Sequence, residues 1–408
     1  IYKLCLCNTM DITTTLLIYT SILGFILGYV VNKTNFCTMG AVSDLVNIGD
    51  SSRLKAWLLA ITTAIVGVTS LEYLGIVDVS ESRIPYRNSV LFWPRYIIGG
   101  IMFGIGMTLA SGCGNKILIR IGGGNLKSIF VLLIAGLMAL LMTRTDFYGV
   151  IFHSWMSPIS PDLAKLGIPD QSVQTIFSSL TNIDAGNILI TIFIPLLICV
   201  FLLKYIFSSY TSLSSDNILS GVVVGLVVTF AWLISGGELG QAWIENNDFL
   251  DTPYPSVGVQ SFTFINPMGE VLIYTSSVFD NFYLTFGVTA LISTIVGSFV
   301  YSLISNNLRI EWFANKHDFF RHFIGAVLIG IGGVLSLGCT IGQGVSGVST
   351  LAIGSIITLL SIIFGASLMM KIEYYKAVYE ESSFIELLKN ALIDLKVLPG
   401  KLRTLEKI

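Results

Sequence analysis

Charged residues are scarce in this chain of 408 residues, because Asp, Glu, Lys and Arg together make up only 12% of it. A soluble domain carries about twice that fraction. The net charge is −2, and without a basic excess the sequence gives no indication of a nucleic-acid partner. The composition therefore excludes an ordinary soluble globular protein and a protein that binds DNA or RNA through charge.

Patterns that bind metals and cofactors are also missing. The chain has 3 histidines and no CxxC, HExxH or His/Cys cluster with zinc spacing. The run GCGNK, at residues 112–116, lacks the spacing of a phosphate-binding Walker loop, which disfavours ATP. The 6 cysteines do not have the spacing of a secreted disulfide framework. We expect no metal, no cofactor and no catalytic residues.

Long apolar runs dominate the sequence. Hydrophobic residues make up 53% of the chain, and the mean hydropathy is +0.80. A helix of about 20 apolar residues crosses a bilayer. The sequence therefore predicts an all-α polytopic membrane protein of the cell (inner) membrane. We predict nine transmembrane spans, at residues 12–32, 54–76, 92–112, 126–143, 187–208, 218–235, 283–304, 321–338 and 351–370.

An internal repeat divides the chain into two halves. RYIIGGIMFGIGMTLASGCGNK, in the first half, aligns without gaps with RHFIGAVLIGIGGVLSLGCTIG in the second. A weaker pair aligns GFILGYVVNKTNFCTMG with GVVVGLVVTFAWLISGG, and Cys37 has no cysteine counterpart there. The positions that coincide in the stronger pair are Arg95/Arg321, Gly99/Gly325, Gly104/Gly330, Gly106/Gly332, Gly112/Gly338 and Cys113/Cys339.

The repeat predicts how the domains are organised. Because the linker between the two four-span halves is a single span, the halves are antiparallel, as in many transporters. The distribution of Lys and Arg places the N-terminus outside and the C-terminal tail in the cytoplasm. We predict an N-terminal tail (1–11), a first transmembrane repeat (12–145), an exterior loop with the linker span (146–217), a second transmembrane repeat (218–370) and a cytoplasmic tail (371–408).

Three cysteines stand in glycine-rich breaks that follow apolar runs. They occur in TNFCTMGAV (Cys37), ASGCGNKIL (Cys113) and SLGCTIGQGVSG (Cys339). In lipid, a broken helix must line a protein cavity or water, because its backbone N–H and C=O groups need partners. We therefore predict short re-entrant loop helices whose N-terminal ends attract an anion. The thiols add polarizable donors suited to a soft sulfur acceptor.

We predict Cys37, Cys113 and Cys339 as residues of the substrate pathway. Competing interpretations apply to several other residues: Lys116 and Arg120 also suit positive-inside anchors, Cys199 suits helix packing, and the Gly-xxx-Gly pairs suit close helix contacts. The loop aromatics Tyr254, Phe262 and Phe264 suit an interfacial belt or a lid. Neighbouring candidates for the pathway are Gly112, Gly114, Lys116, Arg120, Gly338, Thr340, Gly342, Gln343, Gly236 and Gly237, and the Gly-xxx-Gly pairs are Gly24/Gly28, Gly100/Gly104 and Gly221/Gly225.

Residues 15–370 resemble the YeeE/YedE family of sulfur-transport membrane proteins. The resemblance rests on NFCTMGAV, SGCGNKILIRIGGG and GCTIGQGVSGVS. It implies nine spans in an inverted repeat, thiosulfate uptake, and three pathway thiols, with Cys113 central. Some relatives work with a TusA-like cytoplasmic sulfurtransferase. This chain departs from the family's second motif, because Gly114 replaces a Thr and Lys116 stands where a Gly is expected.

The leading hypothesis is a transporter that takes up thiosulfate, or a similar small sulfur anion, along the three thiols. A membrane thiol oxidoreductase that passes electrons through the same cysteines is the alternative from another class. A transporter of a related sulfite or selenium compound is the third. The positive charge of Lys116 either marks a different substrate or helps to hold the anion.

Overall fold

The architecture is all-α, and nine of the helices among the described residues are long and apolar enough to cross a membrane. The computed structural model describes residues 12–181, 187, 189–208 and 213–406. The predicted N-terminal tail (1–11) lies outside the described residues. The helices are α1 (Ile12–Thr34), α2 (Thr38–Ser43), α3 (Ser52–Tyr73), α4 (Trp93–Leu109), α5 (Gly114–Gly122), α6 (Leu126–Arg144), α7 (Ser154–Met156), α8 (Val173–Thr181), α9 (Ile194–Ser208), α10 (Ser215–Gly236), α11 (Glu238–Asp248), α12 (Ile265–Ser276), α13 (Phe286–Ile304), α14 (Lys316–Leu335), α15 (Ile353–Val378) and α16 (Phe384–Asp394).

The nine predicted spans are confirmed, with shifted ends. The third and eighth end before the predicted residues 112 and 338, because Ser111 and Leu337 adopt left-handed backbone conformations that stop a helix. The ninth, α15, continues to Val378, beyond residue 370. Its last turns pack Tyr375 against Leu387 of α16, so part of the predicted tail is folded onto the last span.

Small residues set the helix contacts. A Cβ atom at Gly28 would lie 2.0 Å from the carbonyl oxygen of Thr294 on α13, and one at Gly104 would lie 2.2 Å from that of Ile362 on α15. The other predicted Gly-xxx-Gly positions show similarly close approaches, and the pair on α10 packs against α3. The packing interpretation of these glycines is therefore confirmed.

The directions of the packed helices carry information about the repeat. Gly24 and Gly28 of α1 meet Ser293 and Thr294 of α13 in the same order, so these two helices run parallel. α3 and α10, and α4 and α15, also run parallel, whereas α4 crosses α14 in the antiparallel direction. Two antiparallel copies of one unit produce this pattern. The division into repeats remains a prediction that the pattern supports.

Two loops between spans fold into the interior. Tyr86, from the loop between α3 and α4, is buried, and so are Phe262 and Phe264 from the loop before α12. The belt interpretation of these loop aromatics is therefore wrong for Phe262 and Phe264, because both rings pack in the core near Phe286 rather than at a lipid–water boundary. The loops reach the level at which the helix breaks meet.

Candidate functional site

The three cysteine-bearing breaks share one backbone motif. Each begins with a left-handed residue two positions before the cysteine, with φ of 55° at Asn35, 57° at Ser111 and 63° at Leu337. The N–H of the next residue then donates to a carbonyl five residues earlier, as in a Schellman helix end. These bonds are Phe36–Val31 (3.2 Å), Gly112–Met107 (2.8 Å) and Gly338–Gly333 (2.7 Å).

Each cysteine then stands at the start of a new helical segment. Cys37 is the N-cap of α2, and its Sγ accepts from the backbone N–H of Gly40 at 3.4 Å. Cys339 Sγ accepts from the N–H of Gly342 at the same distance. Cys113 is the N-cap of α5, which is nine residues long. A thiol that accepts through sulfur keeps its S–H free to donate.

The three breaks converge in the interior. The thiols of Cys37 and Cys113 are close enough to interact, and the Thr340 hydroxyl lies beside the Cys113 thiol. A Cβ atom placed on Gly114 would lie 3.4 Å from the Cβ of Cys339. The exposed fractions of the three cysteine residues are 7%, 1% and 0% in chain order. Segments that come from opposite ends of antiparallel helices therefore meet at one buried cluster.

One end of the cluster is cationic. Lys116, in the first turn of α5, donates from Nζ to Asn35 Oδ1 at 2.6 Å. Its charge lies close enough to act on Cys37 and Cys113, and Arg120 lies close enough to act on Lys116. Asn35 is exposed and ends α1, so this end of the cluster reaches the surface.

The other end of the cluster is formed by Tyr86, which sequence reasoning missed, and by Phe264, which it did not place near a thiol. Tyr86 donates from its hydroxyl to the carbonyl of Gly342 at 2.8 Å, and its ring packs edge-on against Trp232. The backbone of Phe264 lies beside the Cys339 thiol. Neither residue stands in a motif, because loop sequences do not indicate which loops turn inward. An unusual density of aromatics in polar loops was the only available signal.

Arginines line the space beyond this second end, and one of them, Arg83, is paired with Glu270 at 3.3 Å. A cavity of about 330 Å³ is lined by Arg83, Arg95, Tyr148 and Leu337 among others. A neighbouring one of about 230 Å³ is lined by Arg83 and Arg144. Arg95 donates to the carbonyl of Leu335 at 2.7 Å and so satisfies the end of α14. The cavities lie next to the break that leads to Cys339.

The remaining predicted residues have mostly structural contacts. Gln343 donates to the Ser336 carbonyl at 2.7 Å and fixes the loop after α14. Gly236, at the end of α10, packs against Val77 and Val259, and Gly237 packs against Leu233 of the same helix, so these two glycines contact no thiol. Cys199 is buried on α9 facing the Thr62 carbonyl, which fits a packing role. Among the described residues, no three His, Cys, Asp or Glu side chains gather as metal ligands.

The cluster contains buried polar atoms that make no hydrogen bond to another described residue. They include Asn115 Oδ1 and Gln343 Oε1, and Thr340 Oγ1 has only its contact with the Cys113 thiol. A buried polar group without a partner costs about 1–3 kcal/mol. Three such atoms in the segments that follow the breaks indicate a site that a polar ligand or water completes.

Comparison with known proteins gives this site a context. The sequence profile described as Sulphur transport matches residues 33–368, which include all three breaks. The chain belongs to the Sulphur transport family. This confirms the resemblance to YeeE/YedE proteins that the motifs indicate.

Two relatives within the family carry a function in their names. The thiosulfate transporter TsuA of Escherichia coli (strain K12) is 25% identical over 334 residues, covering 79% of this chain and 85% of the relative. The thiosulfate transporter TsuA of Spirochaeta thermophila is 22% identical over 355 residues, covering 86% of this chain and 97% of the relative. The similarity therefore extends over nearly the whole length of both transporters.

Proposed function

We propose that this protein takes thiosulfate, or a similar small sulfur-containing anion, across the membrane into the cytoplasm. The observation that carries the proposal is the meeting of Cys37, Cys113 and the Cys339 loop in one buried cluster. Membership of the Sulphur transport family and similarity to two thiosulfate transporters support the substrate class.

The chemistry of the cluster suits a sulfur oxyanion. A dianion enters a low-dielectric interior only if its lost hydration is replaced. The N–H groups at the starts of α2, α5 and the Cys339 segment, together with free S–H donors, replace it in steps. Several weak sites in series allow both entry and release. In this scheme the anion passes from thiol to thiol without covalent change.

The direction of transport is inferred from charge. We place the arginine-lined cavities outside, where they collect anions for Cys339. The Lys116 end then faces the cytoplasm, together with the C-terminal tail and a TusA-like sulfurtransferase if this chain uses one. The N-terminus is outside in this orientation, and the membrane is the inner membrane of the cell.

Reconstitution tests the proposal directly. The purified protein in liposomes should accumulate sulfur-35-labelled thiosulfate above the level of protein-free liposomes, with and without an imposed ion gradient. Unlabelled sulfite and selenium oxyanions, added as competitors, identify the preferred anion. No accumulation of any of these anions would contradict the proposal.

The contact between the thiols of Cys37 and Cys113 supports a second candidate, a membrane thiol oxidoreductase. That function requires the two thiols to be oxidised to a disulfide, with their two electrons and two protons passed to a membrane quinone, which is reduced to the quinol. Mass spectrometry of the protein during turnover distinguishes the two candidates. A disulfide that forms and disappears with turnover favours the redox function, and thiols that stay reduced favour transport.

A further inference from the structure

Lys116 occupies a place where a cation is electrostatically unfavourable. It lies in the first turn of α5, whose N-terminal end carries the positive end of the helix dipole. Arg120, on the same helix, adds a second positive charge within reach of Lys116. Among the described residues neither side chain has a carboxylate within ion-pair distance. By contrast, Arg53 nearby is paired with Asp44 at 3.2 Å.

The Nζ group of Lys116 lies between the exposed residue Asn35 and the buried thiols. Its hydrogen bond to Asn35 Oδ1 is 2.6 Å long, and its charge acts on both Cys37 and Cys113. Asn35 is held in a left-handed conformation, with φ of 55°, at the end of α1. The position of its amide oxygen is therefore fixed by the same helix end that positions Cys37.

A second observation at the same place points to a ligand. Thr340 Oγ1 is fully buried and lies beside the Cys113 thiol, and apart from that contact it has no hydrogen-bond partner among the described residues. A buried hydroxyl beside the thiol at a helix start is suited to donate to an anion. Thr340 comes from the second half of the chain and Lys116 from the first, so the geometry does not follow from one loop alone.

We propose that Lys116 is a specificity-determining residue that selects doubly charged anions at the step between Cys113 and Cys37. Asn35 holds the Nζ group while the step is empty. When a dianion arrives, Lys116 and the Thr340 hydroxyl bind it from opposite sides. The inference rests on the proposed function and deepens it. It assigns to Lys116 a selection by charge that the thiols alone do not provide.

Competition between anions of different charge tests this selection. Coulomb attraction is proportional to the charge of the ligand. Lys116→Gln should therefore raise the KM for thiosulfate by about tenfold, the equivalent of 1.4 kcal/mol, and change inhibition by the monovalent anion thiocyanate by less than about threefold. Lys116→Arg should keep the wild-type ratio of the KM for thiosulfate to the inhibition constant for thiocyanate. Lys33→Gln, an exposed lysine at the end of α1, is the matched control and should change neither constant.

If Lys116→Gln changes neither the KM for thiosulfate nor the inhibition constant for thiocyanate, or raises both by the same factor, the proposal is overturned. If the wild-type protein took up no thiosulfate, the proposed function would fail instead, and a measurement independent of transport decides about Lys116. That measurement compares thiol modification by the anionic reagent methanethiosulfonate ethylsulfonate with modification by its cationic trimethylammonium counterpart. Each reagent forms a mixed disulfide with the cysteine thiolate and releases methanesulfinate.

Mass spectrometry of the peptides that contain Cys37 and Cys113 gives the modification rate of each thiol separately. Lys116→Gln should lower the ratio of anionic to cationic modification by about tenfold relative to wild type. Lys33→Gln should leave the ratio unchanged. An unaltered ratio in Lys116→Gln, or thiols that neither reagent reaches, would contradict a charge-selecting position on an accessible path.

Discussion

The breaks at Cys113 and Cys339 end their helices in the same way and have different surroundings. Both follow a left-handed residue and the same helix-ending hydrogen bond. Cys113 is placed beside a second thiol and the cation of Lys116, whereas Cys339 is placed beside the phenol of Tyr86 and backbone groups. The arginines paired by the sequence repeat also differ, because Arg95 satisfies the end of α14 and Arg321 forms an ion pair with Glu373.

This difference shows that the helix break and its electrostatic surroundings have separate causes. The helix break depends on local sequence, which the two halves share, so it is the same in both. The electrostatic surroundings depend on which neighbours the fold brings to each break, and these neighbours are not repeated. One scaffold therefore gives two ends of different chemistry.

The largest effect should come from removing the thiol at the meeting point. Cys113→Ala removes the side chain that contacts both Cys37 and the Thr340 hydroxyl, so the series of donors is interrupted at its centre. Uptake of labelled thiosulfate should fall to the level of protein-free liposomes. Growth on thiosulfate as sole sulfur source should be lost while membrane expression stays normal.

Cys199→Ala is the control for this substitution, since Cys199 is buried on α9 away from the breaks. It should transport at the wild-type rate. Wild-type uptake by Cys113→Ala would disprove the pathway through the thiols and leave the helix breaks with a structural role only.

A second test breaks the equivalence of Gly112 and Gly338, which the sequence repeat aligns. Gly338 has φ of +156°, a conformation that strains any other residue, whereas Gly112 does not have a positive φ. Gly338→Ala should reduce stability by about 1–3 kcal/mol. Gly112→Ala should cost less, because Gly112 has no positive φ, although its Cβ would lie 3.3 Å from the Cβ of Lys116 and 3.7 Å from the backbone nitrogen of Ile117.

Thermal unfolding in detergent, followed by size-exclusion fluorescence, ranks the two variants. Equal melting temperatures would show that the two breaks are also equivalent in backbone strain, contrary to the geometry.

A smaller effect is expected at the Cys339 end. Tyr86→Phe removes the hydroxyl that donates to the Gly342 carbonyl at 2.8 Å but keeps the ring that packs on Trp232. Loss of this hydrogen bond should destabilise the loop that carries Cys339 by about 1 kcal/mol. The uptake rate should fall several-fold while expression is retained.

The matched control is Tyr301→Phe, on α13, whose ring packs edge-on against Tyr29 away from the breaks. If Tyr86→Phe transports as fast as this control, Tyr86 does not position the Cys339 loop.

The smallest effect concerns the residue that departs from the family motif. A Cβ atom on Gly114 would meet Cys339 Cβ and Ile265 Cδ1 at 3.4 Å, which is ordinary van der Waals contact. Gly114→Ala should therefore change the melting temperature by no more than the small gain expected from replacing glycine in a helix, less than about 1 kcal/mol. A clear loss of stability would mean that the two breaks approach more tightly than these distances indicate.

Sequence reasoning predicted the spans, the three breaks and the Gly-xxx-Gly contacts, because each depends on local composition. It placed the ends of the third and eighth spans too late, since hydropathy continues through Ser111 and Leu337 while the backbone has already turned. It also interpreted Phe262 and Phe264 as an interfacial belt or a lid. Their burial depends on how the loop folds between α10 and α13, which no local pattern records.

The sequence by itself determined that the chain spans a membrane, where its helices break, and that cysteines follow the breaks, because apolar runs, glycines and left-handed turns are properties of neighbouring residues. Only the tertiary structure decided that Cys37 and Cys113 are neighbours, that Thr340 reaches Cys113 from the other half, and that Lys116 and Tyr86 stand at opposite ends of the cluster. Those contacts join residues far apart in the chain, and they arise from the close packing of parallel and antiparallel helices.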